Sequence, residues 1–238
     1  MTISARKVIV ANGPVGGDNI QHMKNSPVEI DASGNIIIPK TAGTGIQVDI
    51  DSPTFGFDDI IGQIRTRGVG ATDPNDATYI GGIKAYNFDV NDEAWIDYHI
   101  NHDYVIGTDI FLHFHWSHNV TVVTGGSVTW GYEMTYAKGH GQAPFSAAVS
   151  GSVVADASTT QYQQQLDEVQ ISAASPSGSQ IDSDFLEPDG VIMMRVFLSA
   201  NNITSSAAVP DPFLHFADIH YQTKAGTGTK NKVPDFYA

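Results

Sequence analysis

Between residues 128 and 136, side chains of two kinds take strict turns. Val128, Trp130, Tyr132, Met134 and Tyr136 alternate with Thr129, Gly131, Glu133 and Thr135. A period of two sends one set to one face of an extended chain and the other to the opposite face, which defines a half-buried β-strand. The same pattern recurs at 36–38, 45–50, 61–67, 85–90, 94–100, 108–117, 120–123, 147–154, 191–200 and 213–223, cut by Gly, Pro, Asn and Asp clusters. Thr124-Gly125-Gly126-Ser127 between two such runs predicts a hairpin turn. Residues 191–198 are apolar on both faces apart from Arg195, which predicts a central strand covered on both sides. The best helix candidate, 162–169, is short and Gln-rich.

So many short strands and so little helix predict an all-β chain. A β-sandwich, and within that class a jelly roll, is the expected solution at this size. The sandwich is expected over 46–224. Residues 1–45, with Gly13, Pro14, Gly16, Gly17, Pro27 and Pro39, read as an extended N-terminal arm. Residues 225–238 read as a polar tail whose closing Phe236 and Tyr237 are candidates for docking onto a partner.

Composition narrows the function. Net charge is −14 and the isoelectric point about 4.7, so a nucleic acid would be repelled. With 16% charged residues, long charged coiled-coil helices are excluded. The absence of cysteine removes disulfides, zinc–thiolate sites and thiol nucleophiles together. No apolar run has membrane length, and the first twenty residues hold no signal-peptide core, so synthesis in the cytoplasm without a signal peptide is expected. Gly13–Gly17 lacks the Lys-Ser/Thr of a phosphate loop, and there is no Gly-x-Ser-x-Gly elbow. Asp58-Asp59 and the 73–76 stretch read as acidic turns before they read as calcium sites.

The concentration of histidine is the main chemical signal. Eight of nine histidines lie from His99 to His220. His113 and His115 share one face of their strand with Phe111 and Ser117, while Ile110, Leu112, Phe114 and Trp116 form the core face. His99 shares a face with Trp95 and Asp97, and His215 and His220 fall on opposite faces of a late strand. Histidines at i and i+2 have ligand spacing for a divalent metal, either near an oligomer axis or at an interface. Packed, hydrogen-bonded histidines at a subunit contact explain the same pattern without a metal, and then no cofactor is needed. Trp95 and His99 are further interface candidates. Gly107, five residues and then His113-Phe114-His115 match the opening of a cupin motif, a metal-enzyme alternative whose carboxylate ligand is missing from Trp116-Ser117-His118-Asn119-Val120.

One progression has a family character. Ser52-Pro53-Thr54-Phe55-Gly56-Phe57-Asp58-Asp59-Ile60-Ile61-Gly62 is followed by the 91–104 stretch NDEAWIDYHINHDY and then by Gly107-Thr108-Asp109-Ile110-Phe111-Leu112-His113-Phe114-His115-Trp116. This resembles tailed-bacteriophage virion proteins, described as structural or tail-fibre-like, over roughly 45–137. Phe57 stands where Trp is common and Asn101 where Pro is common, and no catalytic residue is carried over. The resemblance implies a non-enzymatic virion protein on the particle surface, either a capsid decoration (cement) or a head fibre. Its arm would lie on the major capsid protein and its sandwich would form a homo-trimer. The alternative is a tail-fibre or tail-tip adaptor, or a receptor-binding module for a host surface glycan, which would expose an aromatic such as Trp95 or Tyr104 in a groove. Neither nucleic acid nor membrane is an expected partner.

Overall fold

The computed structural model describes residues 29–30, 36–37, 56–66 and 72–223. The expected arm, the expected strand at 45–50 and the tail with Phe236 and Tyr237 therefore lie wholly or mostly outside the described residues. The backbone forms two compact units, Met1–Pro53 and Thr54–Ala238. In the first, β1 (Glu29–Ile30) and β2 (Ile36–Ile37) pair antiparallel.

The second unit holds the sandwich. Its strands are β3 (Gly56–Gly62), β4 (Asn75–Ile80), β5 (Ile83–Asn87), β6 (Glu93–His99), β7 (Phe111–Ser117) and β8 (Val123–Ala137). They continue as β9 (Val149–Asp156), β10 (Gln165–Gln170), β11 (Ser172–Ala173), β12 (Ile181–Asp182), β13 (Val191–Ser205) and β14 (Phe213–Thr223). One sheet runs β10-β7-β14, with β3 and the β4–β5 hairpin sharing the far edge of β14; the other runs β6-β13-β8-β9. Set aside β4–β5 and the two-residue pair β11–β12, and eight strands remain in chain order. One sheet then reads first-eighth-third-sixth and the other second-seventh-fourth-fifth, all neighbours antiparallel. That order is a jelly roll, as the strand pattern led us to expect.

The core is the space between the inner faces. Leu112, Phe114 and Trp116 of β7, Ala217 and Ile219 of β14, Ile96 of β6, Ile192, Val196 and Leu198 of β13, and Val128 and Trp130 of β8 are fully buried. Trp130 stacks on Phe114 with ring centroids 5.8 Å apart and meets Phe88 edge-on at 5.4 Å. Buried tyrosines anchor their hydroxyls. Tyr98 donates to the Ala217 carbonyl, Tyr132 to the Ser179 carbonyl and Tyr104 to the Thr108 carbonyl, while Tyr136 accepts from the Glu187 amide. Each link removes the cost of burying a bare hydroxyl.

Four sequence expectations are corrected. The 124–127 hairpin does not form: Gly125 (φ +137°) and Gly126 (φ +87°) sit inside β8, which runs on opposite the long strand β13. A Cβ at Gly126 would meet the Asn202 carbonyl oxygen at 2.2 Å, so glycine here permits close strand approach. The 162–169 helix does not form either. Gln165–Gln170 is strand β10, and the one helical piece among the described residues is a 3-10 turn at Ser183–Phe185. In β10 the exposed Leu166 and Glu168 alternate with less exposed neighbours, so tertiary pairing with β7 overrides weak local helix preference. Strand β13 is central, but Met193 is 46% exposed, so its outer face is not covered. Finally, a bulge between Leu214 and Phe216 breaks the alternation that placed His215 and His220 on opposite faces.

Candidate functional site

Pairing of β10, β7, β14 and β3 lays out three rungs across the outer face of their sheet. Leu166, His115 and Phe216 form one; Glu168, His113, Asp218 and Ile61 the next; Phe111, His220 and Asp59 the third. Two strands separated by about a hundred residues thus bring the His-x-His pair against Asp218 and His220. The sequence placed His113 and His115 on the face opposite the core, and they are there. They are nevertheless buried, 6% and 9% exposed, because Phe216 stacks on His115 (4.1 Å, 18°) and His220 on His113 (4.8 Å, 29°). Phe57 stacks in turn on His220 at 4.6 Å and 3°.

The polar contacts are specific. His113 Nε2 is 2.9 Å from Glu168 Oε2, and its Nδ1 is 3.7 Å from Asp218 Oδ2. His115 Nδ1 meets the Gln164 side-chain amide at 2.6 Å. His115 Nε2 and Asp218 Oδ1 stand 3.0 Å apart yet are out of line for a hydrogen bond, so both atoms are buried without one. Asp59 holds His220 Nδ1 at 2.5 Å. Burial pushes the Asp218 carboxyl up, and the nearby charges of His115 and His113 oppose this only in part, so its net shift is upward. His113, His115 and Asp218 each offer a ligand atom within 4.8 Å of the others; so do Asp59, His113 and His220.

The bulge in β14 seats His215 beside this face. Its Nε2 lies 2.7 Å from Ser117 Oγ, which is also 2.7 Å from the Tyr79 hydroxyl. Burial, then the charge of His115, pushes the His215 imidazole below its ordinary value.

The other interface candidates occupy the second sheet. Trp95 is half-buried on edge strand β6, exchanging both backbone hydrogen bonds with Arg65 at 2.8 and 2.9 Å. His99 lies 3.1 Å from Asp189 Oδ1, which His102 approaches to 2.5 Å, while His140 holds Oδ2 at 2.7 Å. Tyr104 is fully buried, which removes it as an exposed sugar platform.

Sequence reasoning missed Asp218, Glu168, Gln164 and Asp189 as members of these clusters. Asp218 carried a signal, since Phe216, Asp218 and His220 share one parity opposite the apolar Ala217, Ile219 and Tyr221. The register that brings it to His113 carried none.

No protein-family model and no curated protein matches the chain. Among solved structures, CBM35 from Cellvibrio japonicus is similar at 11% identity, with 71% of this chain and 98% of that chain covered and a TM-score of 0.28. A Paenibacillus sp. cycloisomaltooligosaccharide glucanotransferase complexed with cycloisomaltoheptaose is similar at 10% identity, covering 69% of this chain and 18% of that chain, also with a TM-score of 0.28. Likeness at that level carries no functional argument.

Proposed function

We propose that the chain is a non-enzymatic structural protein of a tailed-bacteriophage particle, a capsid decoration or head-fibre protein that associates with its own copies through the outer face of the β10-β7-β14-β3 sheet. The observation that carries this reading is the makeup of that face. Phe57 (49% exposed), Ile61 (69%) and Leu166 (50%) stand open around the buried histidine cluster. Apolar groups of this size, rimmed by Glu168, Asp59 and Gln164, are the composition of a contact surface. Two segments of the virion resemblance meet here: β3 supplies Phe57, Asp59 and Ile61, and β7 supplies His113 and His115.

Against a glycan-binding role stand the burial of Tyr104 and the flanking of Trp95 by the Arg65–Asp97 pair at 2.5 Å. Against a cupin-type enzyme stands the position of the histidines, outside the sandwich on a sheet face and not between the sheets.

The test is particle composition. Purified virions of the phage encoding the chain are analysed by quantitative mass spectrometry and immunogold labelling. The reading expects many copies per particle, labelled on the outer surface. A chain abundant in infected cells but absent from particles refutes it.

A further inference from the structure

We infer that His113, His115 and Asp218 bind one divalent transition-metal ion, of the zinc or cobalt kind, within a single chain. The first argument is the unmet chemistry of the two buried atoms. His115 Nε2 and Asp218 Oδ1 face each other at 3.0 Å, an ion-pair distance, but are not aligned for a hydrogen bond, on residues 9% and 3% exposed. Groups left so in a folded interior cost stability unless something satisfies both, and a cation between them does. Four-coordinate zinc, with bonds of roughly 2.0–2.1 Å, spaces its ligands about 3.3 Å apart. The 3.0 Å and 3.7 Å separations from the Asp218 oxygens to His115 Nε2 and His113 Nδ1 bracket that spacing.

The second argument is the shell behind the ligands. A metal-binding imidazole ordinarily has its other nitrogen held by a carboxylate or carbonyl, which fixes the ring and its tautomer. His113 has this from Glu168 on Nε2, leaving Nδ1 toward Asp218. For His115 the Gln164 amide nitrogen stands 2.6 Å from Nδ1. Turning that amide over, which exchanges its nitrogen and oxygen without moving the group, puts the oxygen there, so that Nδ1–H donates and Nε2 keeps its lone pair for the ion. Two imidazoles and one carboxylate favour zinc, cobalt, nickel or iron over the all-oxygen shells of calcium and magnesium. The remaining coordination positions are filled by water or by a group from outside the chain.

This inference stands apart from the virion reading, since all three ligands come from one polypeptide. It is tested on the intact chain, stripped with EDTA, dialysed and titrated with Co2+, with visible d–d absorption and Zn2+ competition as readouts. One equivalent per chain is expected, displaced by Zn2+. His115→Gln and Asp218→Asn should abolish the absorption. Glu168→Gln, at a half-exposed position that tolerates change, should weaken binding roughly tenfold or more while the circular dichroism spectrum stays that of the wild type. His140→Gln, at the Asp189 cluster, should change nothing. Absence of cobalt absorption in the wild type overturns the assignment, as does binding that survives Asp218→Asn or is lost in His140→Gln. Because the wild-type spectrum and Glu168→Gln need no core substitution, a misfolded ligand variant does not remove the test.

Discussion

At the scale of single residues, carboxylates respond to their settings in opposite directions. Burial pushes Asp189 up, but hydrogen bonds from His140 and His102 and the charges of His102 and His99 outweigh it, leaving the carboxyl below its ordinary value. A depressed folded value contributes stability that is present above the unfolded value, near 3.8, and lost as pH falls through the folded value. Asp189→Asn should therefore lower the urea midpoint at pH 7, with the gap to wild type closing as pH falls through the depressed folded value. Asp211 runs the other way. Burial, then the hydrogen bond and charge of Asp89, push it up to about 6. Between 3.8 and 6 the unfolded chain gives up a proton that the folded chain keeps, so this group erodes stability as pH rises through that window. Asp211→Asn should match wild type near pH 3.5 or below and exceed it at pH 7, read as urea midpoints across pH; a constant difference would contradict the assignment.

At the scale of elements, β8 shows where sequence rules stop. Its alternation from Val128 to Tyr136 was legible because every second residue is large and apolar and the inner face needs those residues. Its start was not, because Gly125-Gly126 is also what a hairpin turn looks like. What decides is β13, long enough to pair Asn202, Ile203 and Thr204 with Ser127, Gly126 and Gly125. Gly126→Ala should cost about 1–3 kcal/mol in chemical denaturation, from positive φ and the clash with Asn202. Gly178→Ala, with open space around its Cβ, should be near neutral. Strand β10 teaches the same lesson in reverse. Gln-rich residues with mild helix preference become an edge strand because β7 offers a ladder, and that pairing delivers Leu166 and Glu168 to the outer face. The bulge at His215 was illegible for a related reason, since one extra residue flips parity and no local signal marks it.

At the scale of the whole molecule, the jelly roll makes the chemistry of the outer face possible. Its first-eighth-third-sixth order puts β3, β14, β7 and β10 side by side, so residues 57–61, 113–115, 166–168 and 216–220 become neighbours. The sequence showed β7 and β14 and which way the His-x-His pair points; it read 162–169 as a helix candidate and Asp58-Asp59 as an acidic turn where β10 and β3 form, so Asp218 and Ile61 went unseen. If this face joins copies of the chain, as proposed, its exposed apolar residues must hold the assembly together. Multi-angle light scattering on the intact, metal-free chain, beside the double substitution Ile61→Ser with Leu166→Ser, measures it directly. The expected result is a wild-type mass three times 25.5 kDa and a folded variant that falls toward 25.5 kDa. A wild type that remains at 25.5 kDa at every concentration, or a variant that assembles as fully as wild type, would contradict it.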